Sequence, residues 1–123
     1  MAKPRPISPH LQIYRLPLPA VMSIMHRLSG AVLASGTILL SLWLVMLAVG
    51  AEWFAKVVVL LTHPLGKLVM FGYSLALIYH GLNGIRHLAW DMCLWLEMKQ
   101  VYRSGYIVLV ATMVITAVLW LLA

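Results

Sequence analysis

Apolar residues gather into three long runs separated by short polar stretches. Residues 31–49 contain no charged side chain, and residues 106–122 contain none either. Residues 66–90 are apolar over their first half and carry His80, Arg86 and His87 in their second. A helix needs about 20 mainly apolar residues to cross a bilayer. The pattern therefore predicts an all-α membrane protein with three spans, at about 21–49, 66–90 and 106–122, in one domain covering 1–123. The stretch AEWFAKVVVLLTHP carries Glu52, Lys56 and His63 and ends on Pro64. It is too short to cross and predicts an interfacial helix with Trp53 at headgroup level. Residues 1–19 hold Pro4, Pro6, Pro9, Pro17 and Pro19, and proline lacks the donor that a helix interior needs. They read as an extended leader. Residues 91–104, with Asp91, Glu97, Lys99 and Arg103, read as a connector.

Composition agrees with the spans. Of the 123 residues, 63% are hydrophobic and 10% charged, against about 25% charged in a soluble domain. Most of the surface must face lipid. The formal net charge of +6 is that of sparse cations setting topology and touching anionic headgroups, not that of a nucleic-acid binder. Lys3, Arg5, Arg15, Arg27, Arg86, Lys99 and Arg103 fall on the side of the leader and second connector, and Lys56 and Lys67 on the other, seven cations against two. The positive-inside rule then puts the N-terminus in the cytoplasm and the C-terminus outside. The first apolar run starts late and is too long for a removable signal segment, so it reads as a retained span.

The single cysteine, Cys93, excludes an internal disulfide and a cysteine-based metal site, and reads as a small apolar residue. The tryptophans Trp43, Trp53, Trp90, Trp95 and Trp120 read mostly as interfacial anchors, and the methionines as lipid-facing or packing residues. His10 and His63, lone histidines in polar segments, carry no assignment on chemical grounds.

Ionisable groups inside a span are costly and mark functional sites. Two clusters qualify. On the second span, His80 and Gly84 share a face one turn apart. An imidazole can reach an iron, and the glycine leaves room for a flat ring. Arg86 and His87 lie about 10 Å further along the axis, at a height that suits haem propionates. Asp91, one turn beyond His87, is positioned to orient its ring. His80 and His87 share one side of one helix, so they cannot be the two axial ligands of one iron. His26, near the level of His87, reads as too shallow to sit opposite His80. A six-coordinate iron would need its second ligand from another chain. The second cluster, Ser23, His26 and Arg27, opens the first span. Ser23 and Arg27 share a face, where a hydroxyl beside a guanidinium can bind a quinone carbonyl at the membrane edge. Spacing alone leaves two alternatives open. His80 can simply hydrogen-bond a neighbouring helix, and Arg27 can be a snorkelling cation at a polar helix start.

The run RPISPHLQIYRLPLPAVMSIMHRLSG, Arg5–Gly30, and the run HGLNGIRHLAWD, His80–Asp91, resemble the two signatures of the succinate dehydrogenase cytochrome b556 subunit family. They carry RP-x-SPHL-x-IY with S-x-x-HR-x-[ST]G, and H-x-x-x-G-x-RH-x-x-x-D. Together they cover about a third of the chain, and the three-span layout covers nearly all of it. The resemblance implies half of a heterodimeric haem-binding anchor bundle in the inner membrane. Its partners are a second membrane anchor, an iron–sulfur subunit and a flavoprotein. Succinate is oxidised at the flavin, and electrons pass through iron–sulfur clusters to ubiquinone. The resemblance implies His80 as an axial ligand of a haem b shared with the partner anchor, and Ser23 and Arg27 as quinone-site residues. It puts His26, Arg86 and His87 near the propionates or the quinone, and His10 at the iron–sulfur interface. The region between the first two spans, and the third span, carry no motif. Two other readings remain. One is the anchor of a fumarate reductase or menaquinone-linked enzyme; the other is a cofactor-free membrane scaffold.

Overall fold

The structure is a computed structural model in which residues 15–122 are described. Most of the predicted leader, with Lys3, Arg5 and His10, lies outside them. Four helices follow: α1 (Leu18–Val49), α2 (Ala51–Thr62), α3 (Pro64–Asp91) and α4 (Met98–Leu122). Three of them, α1, α3 and α4, are long and apolar enough to cross a membrane.

Each helix boundary has a local cause. Pro17 caps α1 with extended backbone and Pro19 sits in its first turn. Proline is tolerated there because the first N–H groups of a helix lack partners anyway. The helix thus starts at Leu18, before position 21. Gly50, at φ 143°, breaks α1 from α2, a backbone conformation that favours glycine. His63 is extended ahead of Pro64, as the residue before a proline tends to be, and its Nδ1 accepts from the Leu65 N–H at 3.3 Å. So His63 caps α3. A side chain at Gly66 would collide with the Leu60 carbonyl across this sharp turn.

The second connector is shorter than its polarity predicts. Lys99 and Arg103 lie within α4, which begins at Met98 rather than near 106. Polar side chains end a span's apolar stretch without ending its helix. The true turn is residues 92–97, where Cys93 and Trp95 both adopt φ 59° and the cysteine is exposed.

Contacts set the helix directions. Ser35 meets Tyr73 while Met22 meets Tyr79, so α1 and α3 are antiparallel. Arg86 bonds Ser104 while Ser74 bonds Trp120, so α3 and α4 are antiparallel too. The basic residues Arg15, Arg27, Arg86, Lys99 and Arg103 therefore share one end of the bundle, called here the basic end.

The interior is narrow. Met22, Tyr79, Ala89 and Val108 are its buried hydrophobics. Thr112 and Thr116 line the inner face of α4, Thr112 donating to the Val108 carbonyl at 2.7 Å. Leucines, isoleucines and valines cover the outside, an arrangement suited to lipid and not to water. At 32 residues α1 is about 48 Å long, well beyond a hydrocarbon core of about 30 Å. The uncharged stretch 31–49 fills that thickness. The first turns of α1, with Ser23, His26 and Arg27, then fall at the headgroup boundary.

The tryptophans divide. Trp53 is exposed, with the Lys56 ammonium 4.3 Å from its ring centre. Trp90 and Trp120 are half-buried and packed inward, Trp120 donating to Ser74 at 2.8 Å.

Candidate functional site

On α3, His80, Gly84 and His87 fall within about 60° of one another around the axis at 100° per residue. This face packs on the first half of α1 and brings three imidazoles together. The His26 ring stacks on the His80 ring, centroids 4.0 Å apart and planes 7° from parallel. His87 lies 5.1 Å from His26 at a 43° tilt, and Trp90 meets His87 edge-on at 5.0 Å.

His26 thus lies at the level of His80, against the face of its ring. Antiparallel packing also sets it beside Gly84, between the two α3 histidines. The position of a side chain at Gly84 would be 3.8 Å from His26 Cε1. The His26 imidazole lies in ordinary contact with the space that glycine leaves open. Because His26 packs against the face of His80, the edge of the His80 ring stays clear of it.

Two polar groups of α1 hold the His80 ring at Nδ1. Its Nδ1 is 3.2 Å from the His26 carbonyl oxygen and 3.2 Å from Ser29 Oγ. A carbonyl only accepts. The Ser29 hydroxyl spends its single proton on the same carbonyl, at 2.8 Å, and so also accepts from the ring. The carbonyl contact calls for a proton on Nδ1, and a neutral ring so protonated carries its lone pair on Nε2. Nε2 makes no hydrogen bond among the described residues. A histidine that binds a metal through one nitrogen commonly donates from the other to a carbonyl in this way.

Ser29 and Gly30 shape the seat. Ser29 is buried, and a side chain at Gly30 would come to 3.1 Å from His80 Cε1. Both residues belong to the HRLSG run, but a small residue shows its purpose only once its neighbour across the helix interface is known. The signal was the pairing of a small, polar dipeptide with a histidine three residues earlier.

Arg86 lies apart from the imidazoles. It points to α4 and is 3% exposed. Its Nε donates to Ser104 Oγ at 3.0 Å, one terminal nitrogen to Asn83 Oδ1 at 3.3 Å, and the other to the Val101 carbonyl at 2.8 Å. The Trp90 ring lies 4.1 Å beneath the guanidinium. Among the described residues the single ion pair is Lys56–Glu52, so dipoles and an aromatic face, not a carboxylate, solvate this buried cation. Tyr79 reinforces the junction by donating to the Met22 carbonyl at 2.8 Å.

Ser23 is half-buried and Arg27 exposed, one turn apart at the start of α1. Neither side chain hydrogen-bonds another described residue. His26 Nδ1 is buried and has no partner among the described residues, and buried polar atoms are seldom left so. Asp91 is exposed and does not bond His87; that ring is held by Trp90 and His26 instead.

Three apolar helices that gather His26, His80, His87 and a buried arginine at one end define a membrane subunit with a polar centre at that end. The comparisons with known proteins make the class specific. The chain belongs to the succinate dehydrogenase/fumarate reductase transmembrane subunit family, whose model matches residues 1–119. It is 42% identical to the succinate dehydrogenase cytochrome b556 subunit of Paracoccus denitrificans, over 96% of this chain and 90% of that one. It is 35% identical to the cytochrome b556 subunit of Rickettsia felis, over 94% and 90%. To the human mitochondrial cytochrome b560 subunit it is 40% identical, over 88% and 65%. It stands with the succinate dehydrogenase cytochrome b membrane subunits, as a non-catalytic part of an oxidoreductase complex.

Proposed function

We propose that this subunit holds one side of a haem b and one wall of a ubiquinone pocket in succinate dehydrogenase. The observation that carries the reading is the His80 ring. Its Nδ1–H is held by two acceptors and its Nε2 is free to ligate iron. Neutral imidazole presented in this way is an ordinary haem ligand. Haem b, when bound, would supply a one-electron centre.

His26 stacks on one face of His80, and His87 shares its helix side, so neither opposes it across a metal. An iron held by His80 would take any further protein ligand from a second membrane anchor subunit. The unpartnered His26 Nδ1 and the adjacent His87 fit the carboxylates at the rim of a haem, or a quinone nearby. Arg86 shares that neighbourhood through Trp90, which touches both it and His87. Its three bonds to α3 and α4 give it a bracing role as well.

Ser23 and Arg27 bind the quinone head. The Ser23 hydroxyl and the Arg27 guanidinium donate to a carbonyl oxygen and favour the negative charge that develops there as electrons arrive from the iron–sulfur subunit. Their place at the headgroup boundary lets the isoprenoid tail remain in lipid. The flavoprotein and iron–sulfur subunits dock at the basic end, with the N-terminus in the cytoplasm and the chain in the inner membrane. The seven-to-two division of cations supports that orientation.

The family also takes in fumarate reductases. The relatives' names favour the succinate dehydrogenase side.

The test uses the purified whole complex. Arg27→Ala lowers succinate:ubiquinone reductase activity by at least tenfold and Ser23→Ala by less, while succinate oxidation with an artificial acceptor at the flavin is retained. Unchanged quinone reduction in both variants would remove the quinone assignment.

A further inference from the structure

We infer that Ser29 is a positioning residue for the haem ligand: through its contact with His80 Nδ1 it tunes the reduction potential of the bound haem. This rests on the assignment of His80 as an axial ligand. It adds a residue whose own chemistry never touches the iron.

The geometry is a closed triangle of three groups. His80 Nδ1–H is shared between the His26 carbonyl and Ser29 Oγ, each at 3.2 Å, and the Ser29 hydroxyl donates to that same carbonyl at 2.8 Å. Ser29 is 7% exposed, so water does not compete for these bonds. Two of the triangle's corners sit on one turn of α1, because Oγ of a helical serine reaches the carbonyl three residues back. The third comes from α3. The triangle thus ties the ligand's orientation to the packing of the two helices. Gly30 completes the seat, since His80 Cε1 lies where a side chain would otherwise stand.

The direction of the effect follows from electron donation. An acceptor on Nδ1–H draws the proton away from the ring and makes Nε2 the stronger donor. A stronger donor stabilises ferric iron over ferrous and lowers the potential. Ser29→Ala removes one of two acceptors. It also frees the His26 carbonyl from its own donor, which makes that carbonyl a slightly better acceptor and offsets part of the loss. The net outcome is a weaker ligand and a higher potential. The same substitution removes only one oxygen, so the ring stays seated and haem content is retained.

The experiment is a redox titration of the haem in the assembled complex, with haem per flavin measured in parallel. Ser29→Ala is expected to keep wild-type haem content and shift the midpoint potential upward. Ser29→Thr, which retains the hydroxyl, is expected to restore the wild-type value. A wild-type potential in a haem-replete Ser29→Ala complex overturns the inference while leaving the haem assignment intact. If Ser29→Ala does not assemble, Ser29→Cys decides. Its thiol is a weaker acceptor of similar size, and an unshifted potential there overturns the inference as well. Wild-type complex that carries no haem at all would instead overturn the proposed function, and this inference with it.

Discussion

The two ends of the α1–α3 contact are built differently. At the basic end, the first turns of α1 and the last turns of α3 interlock buried polar groups. These include the His26–His80 stack, the Tyr79–Met22 bond and the Ser29 triangle, and beside them the Arg86 junction ties α3 to α4. At the far end the same two helices meet through an exposed Ser35–Tyr73 hydroxyl pair at 2.8 Å, and α1 meets α2 through a Trp43–Phe54 contact at 5.8 Å. No residue of α2 is buried. In lipid there is no hydrophobic force between helices, so close packing and hydrogen bonds hold a bundle together. The basic end has both. The difference locates rigidity and chemistry at one end, and leaves the other as a span and a loop.

The comparison breaks most visibly at Arg86. Arg86→Ala would leave the buried Asn83 Oδ1 and the half-buried Ser104 Oγ without the donor they accept from, while the Val101 carbonyl keeps the Ser104 hydroxyl at 3.1 Å. Unsatisfied groups of this kind cost roughly 1–3 kcal/mol each, partly offset by removal of a cation that is itself expensive in a membrane. A loss on the order of 3 kcal/mol, read as a lower melting temperature of the detergent-solubilised complex, is expected. A melting temperature equal to wild type would show that the α3–α4 junction does not depend on this tie.

Gly30→Ala acts next. The added methyl meets His80 Cε1 at 3.1 Å, so either the ring or the helix must shift by a few tenths of an ångström. A substantial drop in haem per flavin is expected, with the subunits still co-purifying. Full haem content would mean that the seat yields without effort.

The smallest effect belongs to the far end. Lys56 pairs with Glu52 at 2.9 Å with both side chains largely exposed, and exposed pairs contribute about 0–1 kcal/mol. Lys56→Ala is expected to leave melting temperature, haem content and quinone reduction within error of wild type. A marked loss in any of them would erase the contrast between the ends.

The three spans were legible in the sequence because long uncharged runs have few other uses. Their ends were less so. Pro19 and Pro64 look like breaks but sit in first turns, and Met98–Gly105 looks like a connector but continues α4 as helix. Helical periodicity put His80 and His87 on one face. It gave no information on how far α1 slides along α3, and that register alone stacks His26 on His80. The same gap hid Ser29 and Gly30, whose roles come from the ring they face. It also hid the Arg86 bonds, which depend on a helix that carries no motif.

The central claim is that His80, and not its neighbour His87, presents the free nitrogen that ligates haem. A reduced-minus-oxidised absorption spectrum of the purified complex, recorded for His80→Ala beside His87→Ala, tests it most directly. The b-type band is expected to be lost in His80→Ala and kept in His87→Ala. A band that survives in His80→Ala and vanishes in His87→Ala would contradict it.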